Sequence, residues 1–141
     1  MSKVSRRNLG FGFATLAAMS AVSPVLANPT APVIAVYELT FLKARHGDTA
    51  SLSRFISLNW FAMDRLAVQQ GLMTDYRLLI SADGAPEWDI LVIDGYPKVE
   101  GYSGVAKAFE AIRAAHTTIP VIGKTLDQLG EIVASRRLLP G

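Results

Sequence analysis

The chain has 141 residues, with 14 Lys and Arg against 12 Asp and Glu and no cysteine, which excludes disulfides, thiolate zinc sites and Fe–S clusters. Three of the cations, Lys3, Arg6 and Arg7, precede residue 28; the other 114 residues carry 11 cations against 12 acids, a formal charge of −1. The basic balance therefore belongs to the leader, no basic patch argues for nucleic acid, and residues 28–141 have room for one two-layer core and no second domain.

Met1 to Asn8 is a positive segment without acids, and Leu9 to Val22 is an apolar run rich in Gly and Ala. Ser23-Pro24 ends it, and Val25-Leu26-Ala27 offers compact side chains three residues and one residue before a cut. This is the pattern of a cleavable signal peptide, 1–27, with cleavage expected after Ala27 and a periplasmic or secreted product. The competing reading is a membrane anchor, but the run is shorter than the ~20 apolar residues a span needs, so no stable anchor is expected after cleavage. Ser5-Arg6-Arg7-Asn8-Leu9 resembles the twin-arginine export motif, with the general secretory route as the alternative.

Residues 28–32 (Asn-Pro-Thr-Ala-Pro) read as an extended tether, because two prolines remove backbone donors and disfavour helix. Residues 33–141 form the expected domain. Val33 to Leu42 is a strand that is mainly apolar on both faces, so something besides helices has to cover it. His46-Gly47-Asp48 makes a turn and N-cap for a helix from about Thr49 to Gln70, closed by Gly71. Its core stripe runs Leu52, Phe55, Ile56, Asn59, Met63, Leu66, Gln70.

Asp75 to Ala82 and Trp88 to Tyr96 are antiparallel strands joined through Asp83-Gly84-Ala85-Pro86. A second helix spans about Tyr102 to Ala115, with Tyr102, Val105, Phe109, Ile112 and His116 on one stripe. A short helical segment at Leu126 to Leu129 precedes a last strand, Glu131 to Leu138. The order β-α-β-β-α-β is that of an α+β, ferredoxin-like domain, an antiparallel sheet with helices on one face.

Tyr37-Glu38-Leu39-Thr40-Phe41-Leu42-Lys43 with Gly47 before the first helix, the strand Asp89-Ile-Leu-Val-Ile-Asp, and the amphipathic Phe109-Glu110-Ala111-Ile112-Arg113 resemble the dimeric α/β-barrel superfamily. That group includes antibiotic-biosynthesis-type monooxygenases, EthD-like and NIPSNAP-like proteins. The resemblance covers essentially the whole of residues 33–141 and implies a homodimer whose two sheets face each other, which accounts for a strand apolar on both sides. Its motifs are patterns of fold, so they say little about activity.

Asn59 stands between Ile56 and Met63 on the core stripe, where an unpaired amide costs ~1–3 kcal/mol, so it is either a pocket donor or an amide satisfied by neighbouring backbone. Trp60 and Asp64, one turn apart, set an aromatic wall and an acid at one mouth, unless they are a rim Trp and a solvated Asp. His46 and His116 are the only histidines, so any imidazole base is one of them. The plainer readings are an exposed loop residue for His46 and a helix C-terminal cap for His116. Tyr37, Tyr76, Tyr102 and Trp88 are aromatic ligand contacts or core and dimer-interface residues, the second reading being favoured for Trp88.

The expected catalytic candidates are thus His116, His46 and Asp64, and the ligand contacts are Asn59, Trp60, Tyr76, Tyr37 and Tyr102. Asn59, His116 and Tyr76 are the polar contacts of a pocket between helices and sheet. No His-x-x-x-His or Glu-x-x-His pair occurs, and neither a metal nor a cofactor is expected. The expected function is binding of a small organic molecule, with activity left open. The alternatives are a cofactor-independent monooxygenase-like enzyme acting on a small aromatic or apolar substrate, a non-catalytic periplasmic homodimer, and, more remotely, haem binding through one histidine.

Overall fold

A computed structural model describes residues 32–84 and 87–141, so the expected leader, its cleavage point and all of the tether but Pro32 lie outside the described residues. The strands are β1 (Val36–Ala44), β2 (Asp75–Ile80), β3 (Ile90–Tyr96) and β4 (Gly130–Leu138). The helices are α1 (Thr49–Leu58), α2 (Trp60–Gln69), α3 (Tyr102–Ala115) and α4 (Leu126–Leu129), with a 3-10 turn at Arg45–Gly47. The sheet order is β2-β3-β1-β4 with every neighbour antiparallel. The fold is therefore α+β, a four-stranded antiparallel sheet with helices packed on it, compatible with the ferredoxin-like plan.

Strand alternation separates the two faces of the sheet. Val36, Leu42 and Ala44 on β1 and Ile90, Val92 and Tyr96 on β3 are buried against helices. Their alternates Tyr37, Leu39, Phe41, Leu91 and Ile93 are only half-buried, and on the same face Leu79 of β2 and Leu138 of β4 are about half exposed. Between β1 and β4 the register shifts after Phe41, which pairs with Ala134 while Leu42 pairs with Ile132, and Val133 is the extra residue of a bulge.

The first helix differs from the single rod expected over 49–70. Asp48 caps it as its spacing indicates, accepting the Ser51 N–H at 3.1 Å. It then breaks at Asn59, where φ is −114° and ψ −65°. The Asn59 side chain donates to the Phe55 carbonyl at 2.9 Å, the same acceptor its own N–H uses at 3.0 Å, and such back-bonding bends helices. Beyond the break the buried face turns: Asp64 and Ala67 are buried, whereas Leu66, expected inside, is 43% exposed.

The start of α3 is organised by a distant acid. Gly101 has φ +63°, and a Cβ there would fall 2.2 Å from Oε2 of Glu38, which accepts the Tyr102 N–H at 3.2 Å and the Arg137 Nε–H at 3.3 Å. Glu38 on β1 thus supplies the negative group that the helix N-terminus favours. Two apolar clusters form the core. One gathers Leu42, Leu52, Phe55, Ile56, Ile90 and Val92 with neighbours, the other Val36, Ala67, Met73, Tyr96, Phe109 and Ile112. The positions lying between them along the chain are polar: Glu38 and Thr40 on β1, Asp94 on β3, and Asn59 and Asp64 on the broken helix.

Candidate functional site

A cleft of about 640 Å³ opens where the α1–α2 break meets the end of α3, α4 and the start of β4. Its apolar wall is Phe55, Trp60 and Met63; Asn59, His116, Thr118, Asp127 and Glu131 add polar groups, and Arg45 and Arg113 add cations. Gly130 also lines it, because a Cβ there would come within 2.6 Å of Leu52 and 2.8 Å of the Lys43 carbonyl. Glycine at 130 is what lets β4 begin hard against α1.

Asn59 is 3% exposed, and its amide is fully engaged. Nδ2 donates to the carbonyls of Phe55 and Ile119, both at 2.9 Å, while Oδ1 accepts the Ile119 N–H at 2.7 Å and lies 2.9 Å from Nε2 of His116. Turning the amide over would set its NH2 against the Ile119 N–H, so Oδ1 has to be the acceptor here. With Oδ1 accepting, Nε2 of His116 carries a proton, and Nδ1 has no hydrogen-bond partner among the described residues. His116 is itself the C-cap of α3, half-buried, and lines the cleft. Asn59 therefore ties the 116–119 segment to the helix break and orients the imidazole.

A second, smaller cavity of about 250 Å³ shares Trp60, Met63 and Arg113 with the cleft and is otherwise lined by Asp64, Asp94, Tyr96, Tyr102 and Phe109. Asp64 is 7% exposed, and burial pushes its carboxyl up to about 7. Burial likewise pushes Asp94 up to about 8, with the nearby charges of Asp64, Glu38 and Asp75 adding to it. Asp94 Oδ1 is buried without a hydrogen-bond partner. Burial also raises the Tyr96 hydroxyl, which stays protonated. Arg113 stands at the rim, donating to Glu110 and to the Tyr102 hydroxyl, both at 2.9 Å, with its guanidinium over the Tyr102 and Phe109 rings.

The candidate residues thus fall in three places. Asn59, Trp60 and His116 meet at the large cleft, and Asp64 and Tyr102 join Trp60 at the small cavity. Tyr76 packs on Phe61, with ring centroids 4.9 Å apart, and lines neither. Tyr37 lies on the helix-free sheet face in a shallow groove with Leu39 and Ile93. His46 is exposed on the 3-10 turn at φ +56°, away from both cavities. Asp94 and Arg113 are not among the residues the sequence points to. Strand alternation does carry a signal for Asp94, since it shares the inward face with Ile90 and Val92. Among the described residues, no group of three or more His, Asp or Glu is gathered to hold a metal ion, and no helix is long and apolar enough to cross a membrane.

Compared with known proteins, the chain matches no family model, and no curated protein or solved structure matches it either.

Proposed function

We propose that the chain is an exported homodimeric protein that binds a small, largely apolar organic molecule in the cleft of Phe55, Asn59, Trp60 and His116. The observation that carries this reading is the convergence of an aromatic and apolar wall on an imidazole whose tautomer Asn59 sets. A concave apolar site with a few directed polar groups is the usual form of a small-molecule site. A flat ligand would lie on Trp60 and donate a hydrogen bond to Nδ1 of His116. Native mass spectrometry of protein purified from the periplasm tests this. A co-purifying mass present in the wild type and absent from Trp60→Ala supports it; ligand-free protein, or the same mass retained by that variant, overturns it.

The same His116 geometry favours a second reading, a monooxygenase-like enzyme without cofactor, in which Nδ1 is the base that takes the substrate's proton. Turnover by the wild type that His116→Gln abolishes supports this second reading, and a ligand that the wild type binds and leaves unchanged supports the first.

The dimer of the proposal uses the helix-free sheet face, where Leu39, Phe41, Leu79, Leu91 and Ile93 form an apolar surface of the kind soluble monomers avoid. The resemblance to the dimeric α/β-barrel superfamily implies a dimer in which two such sheets face each other. Light scattering at low micromolar concentration is expected to give a dimer mass, and Phe41→Glu a monomer. For export, N-terminal sequencing is expected to begin near Asn28, and Lys at both Arg6 and Arg7 to hold the precursor in the cytoplasm.

A further inference from the structure

The small cavity has two acids in its lining and a single cation, Arg113, at its rim. Asp64 is 7% exposed, lines the cavity and makes no hydrogen bond among the described residues. Across from it Asp94 holds a buried oxygen with no partner. Buried carboxyls in folded proteins are almost always paired or hydrogen-bonded, so an unpartnered buried oxygen on Asp94 beside a second acid without a hydrogen bond points to a missing partner.

The nearby cations do not fill that role. Arg113 is committed to Glu110 and the Tyr102 hydroxyl, Arg137 to Glu38, and Arg77 to Asp75. The charged and titratable groups around the pair are Glu38 on β1, Asp75 and Tyr76 on β2, Tyr96 on β3, Tyr102 and Arg113 on α3, and Arg137 beyond Glu38 on β4. The rest of the wall is Met63 with the rings of Trp60, Tyr96, Tyr102 and Phe109. Arg113 already lies over the Tyr102 and Phe109 rings, which leaves Trp60 and Tyr96. Aromatic rings beside carboxylates are the recognition chemistry of an organic ammonium group, whereas a metal ion asks for more ligating groups than are gathered among the described residues.

We propose that this cavity binds the ammonium group of a small organic amine, with Asp64 and Asp94 as its anionic partners and the Trp60 and Tyr96 rings as its wall. About 250 Å³ admits an amine of modest size. The site goes beyond the binding cleft proposed above; it shares Trp60 with that cleft but stands on Asp64 and Asp94, which the cleft does not use, so its test is read on those two acids.

The binding carries a proton signature. Without ligand the acids are pushed up to about 7 and about 8, so at pH 6.5 they are largely protonated. An ammonium group favours their ionised forms, so binding there releases protons, and affinity rises with pH until the acids are ionised unaided.

Calorimetry on the purified full protein with methylamine, benzylamine and tyramine tests the proposal, with 4-ethylphenol and 4-hydroxyphenylacetate as the uncharged and anionic counterparts of tyramine. At pH 8 at least one amine is expected to bind, tyramine about tenfold or more above 4-ethylphenol, with 4-hydroxyphenylacetate weakest. Asp94→Asn and Asp64→Asn, near-isosteric changes, are expected to erase the preference for the amine and leave the affinity for 4-ethylphenol as it was. Titrations at pH 6.5 in buffers of different ionisation heat should show proton release by the wild type, a readout that needs no variant to fold. Equal binding of tyramine and 4-ethylphenol, no binding by any of the three amines, an amine preference surviving in the double variant, or amine binding at pH 6.5 without proton release would each overturn it.

Discussion

Asn59 and Asp94 are both polar groups drawn into the space between the two apolar clusters, and the fold treats them in opposite ways. The Asn59 amide meets Phe55, His116 and both backbone groups of Ile119, so each of its atoms replaces the water it lost. Asp94 has an oxygen with no partner at all, beside a second acid, Asp64, that makes no hydrogen bond among the described residues. A satisfied buried amide is a structural tie, because removing it strands the groups it served. An unsatisfied buried acid costs stability in the folded chain and is a mark of a site.

Breaking the tie should have the largest effect. Asn59→Leu leaves the Ile119 N–H and carbonyl without partners and frees the His116 ring, and is expected to cost about 3 kcal/mol, read as a lower melting temperature. Had Asn59 been placed only to meet a ligand, the same change would relieve a burial penalty and raise the melting temperature.

Asp94→Asn should act in the other direction. The folded-state value of Asp94, and that of Asp64, is raised above the unfolded one, so the folded chain holds protons that the unfolded chain has released. Their contribution is fully present below about pH 4 and is lost as pH rises towards 7 to 8, so from these groups stability falls across that window. Asp94→Asn is expected to flatten the slope and to gain about 1–3 kcal/mol at pH 8 while changing little at pH 4, by denaturant melts at the two values. A steeper slope, or a loss at pH 8, would place Asp94 with Asn59 among the structural ties.

Gly101→Ala sharpens the contrast from the side of Glu38. The residue would need positive φ and would press its Cβ against the carboxylate that caps α3, for an expected loss of about 1–2 kcal/mol in chemical denaturation. The smallest effect belongs to charge on the surface. Glu110→Gln removes an exposed partner of Arg113 and should change stability by less than about 0.5 kcal/mol, since Arg113 keeps its bond to the Tyr102 hydroxyl.

Much of the fold is legible along the chain. Alternation from Val36 to Leu42 sorts the two faces of β1, the 3.6-residue stripe marks α3 from Tyr102 to Ala115, and Asp48 announces the start of α1. The helix break is not legible, because the stripe from Leu52 to Gln70 continues through Asn59 without interruption. That is why the stripe puts Leu66 inside and leaves Asp64 between a pocket mouth and solvent. A back-bonded amide turns the following helix, and no count of apolar residues registers the turn.

What the sequence determined by itself is local: the order of strands and helices, and which residues share a face of each strand. These follow from periodicity and from turn and cap chemistry within a few residues, so the chain declares them wherever it is read. Only the tertiary structure decided that His116 meets Asn59 across 57 residues, that Asp64 faces the cavity of Asp94, and that Glu38 rather than a neighbouring side chain caps α3. Those meetings depend on how β1, β3 and the broken helix close on one another, and the resulting distances and desolvation set the tautomer of His116 and the raised values of the two acids.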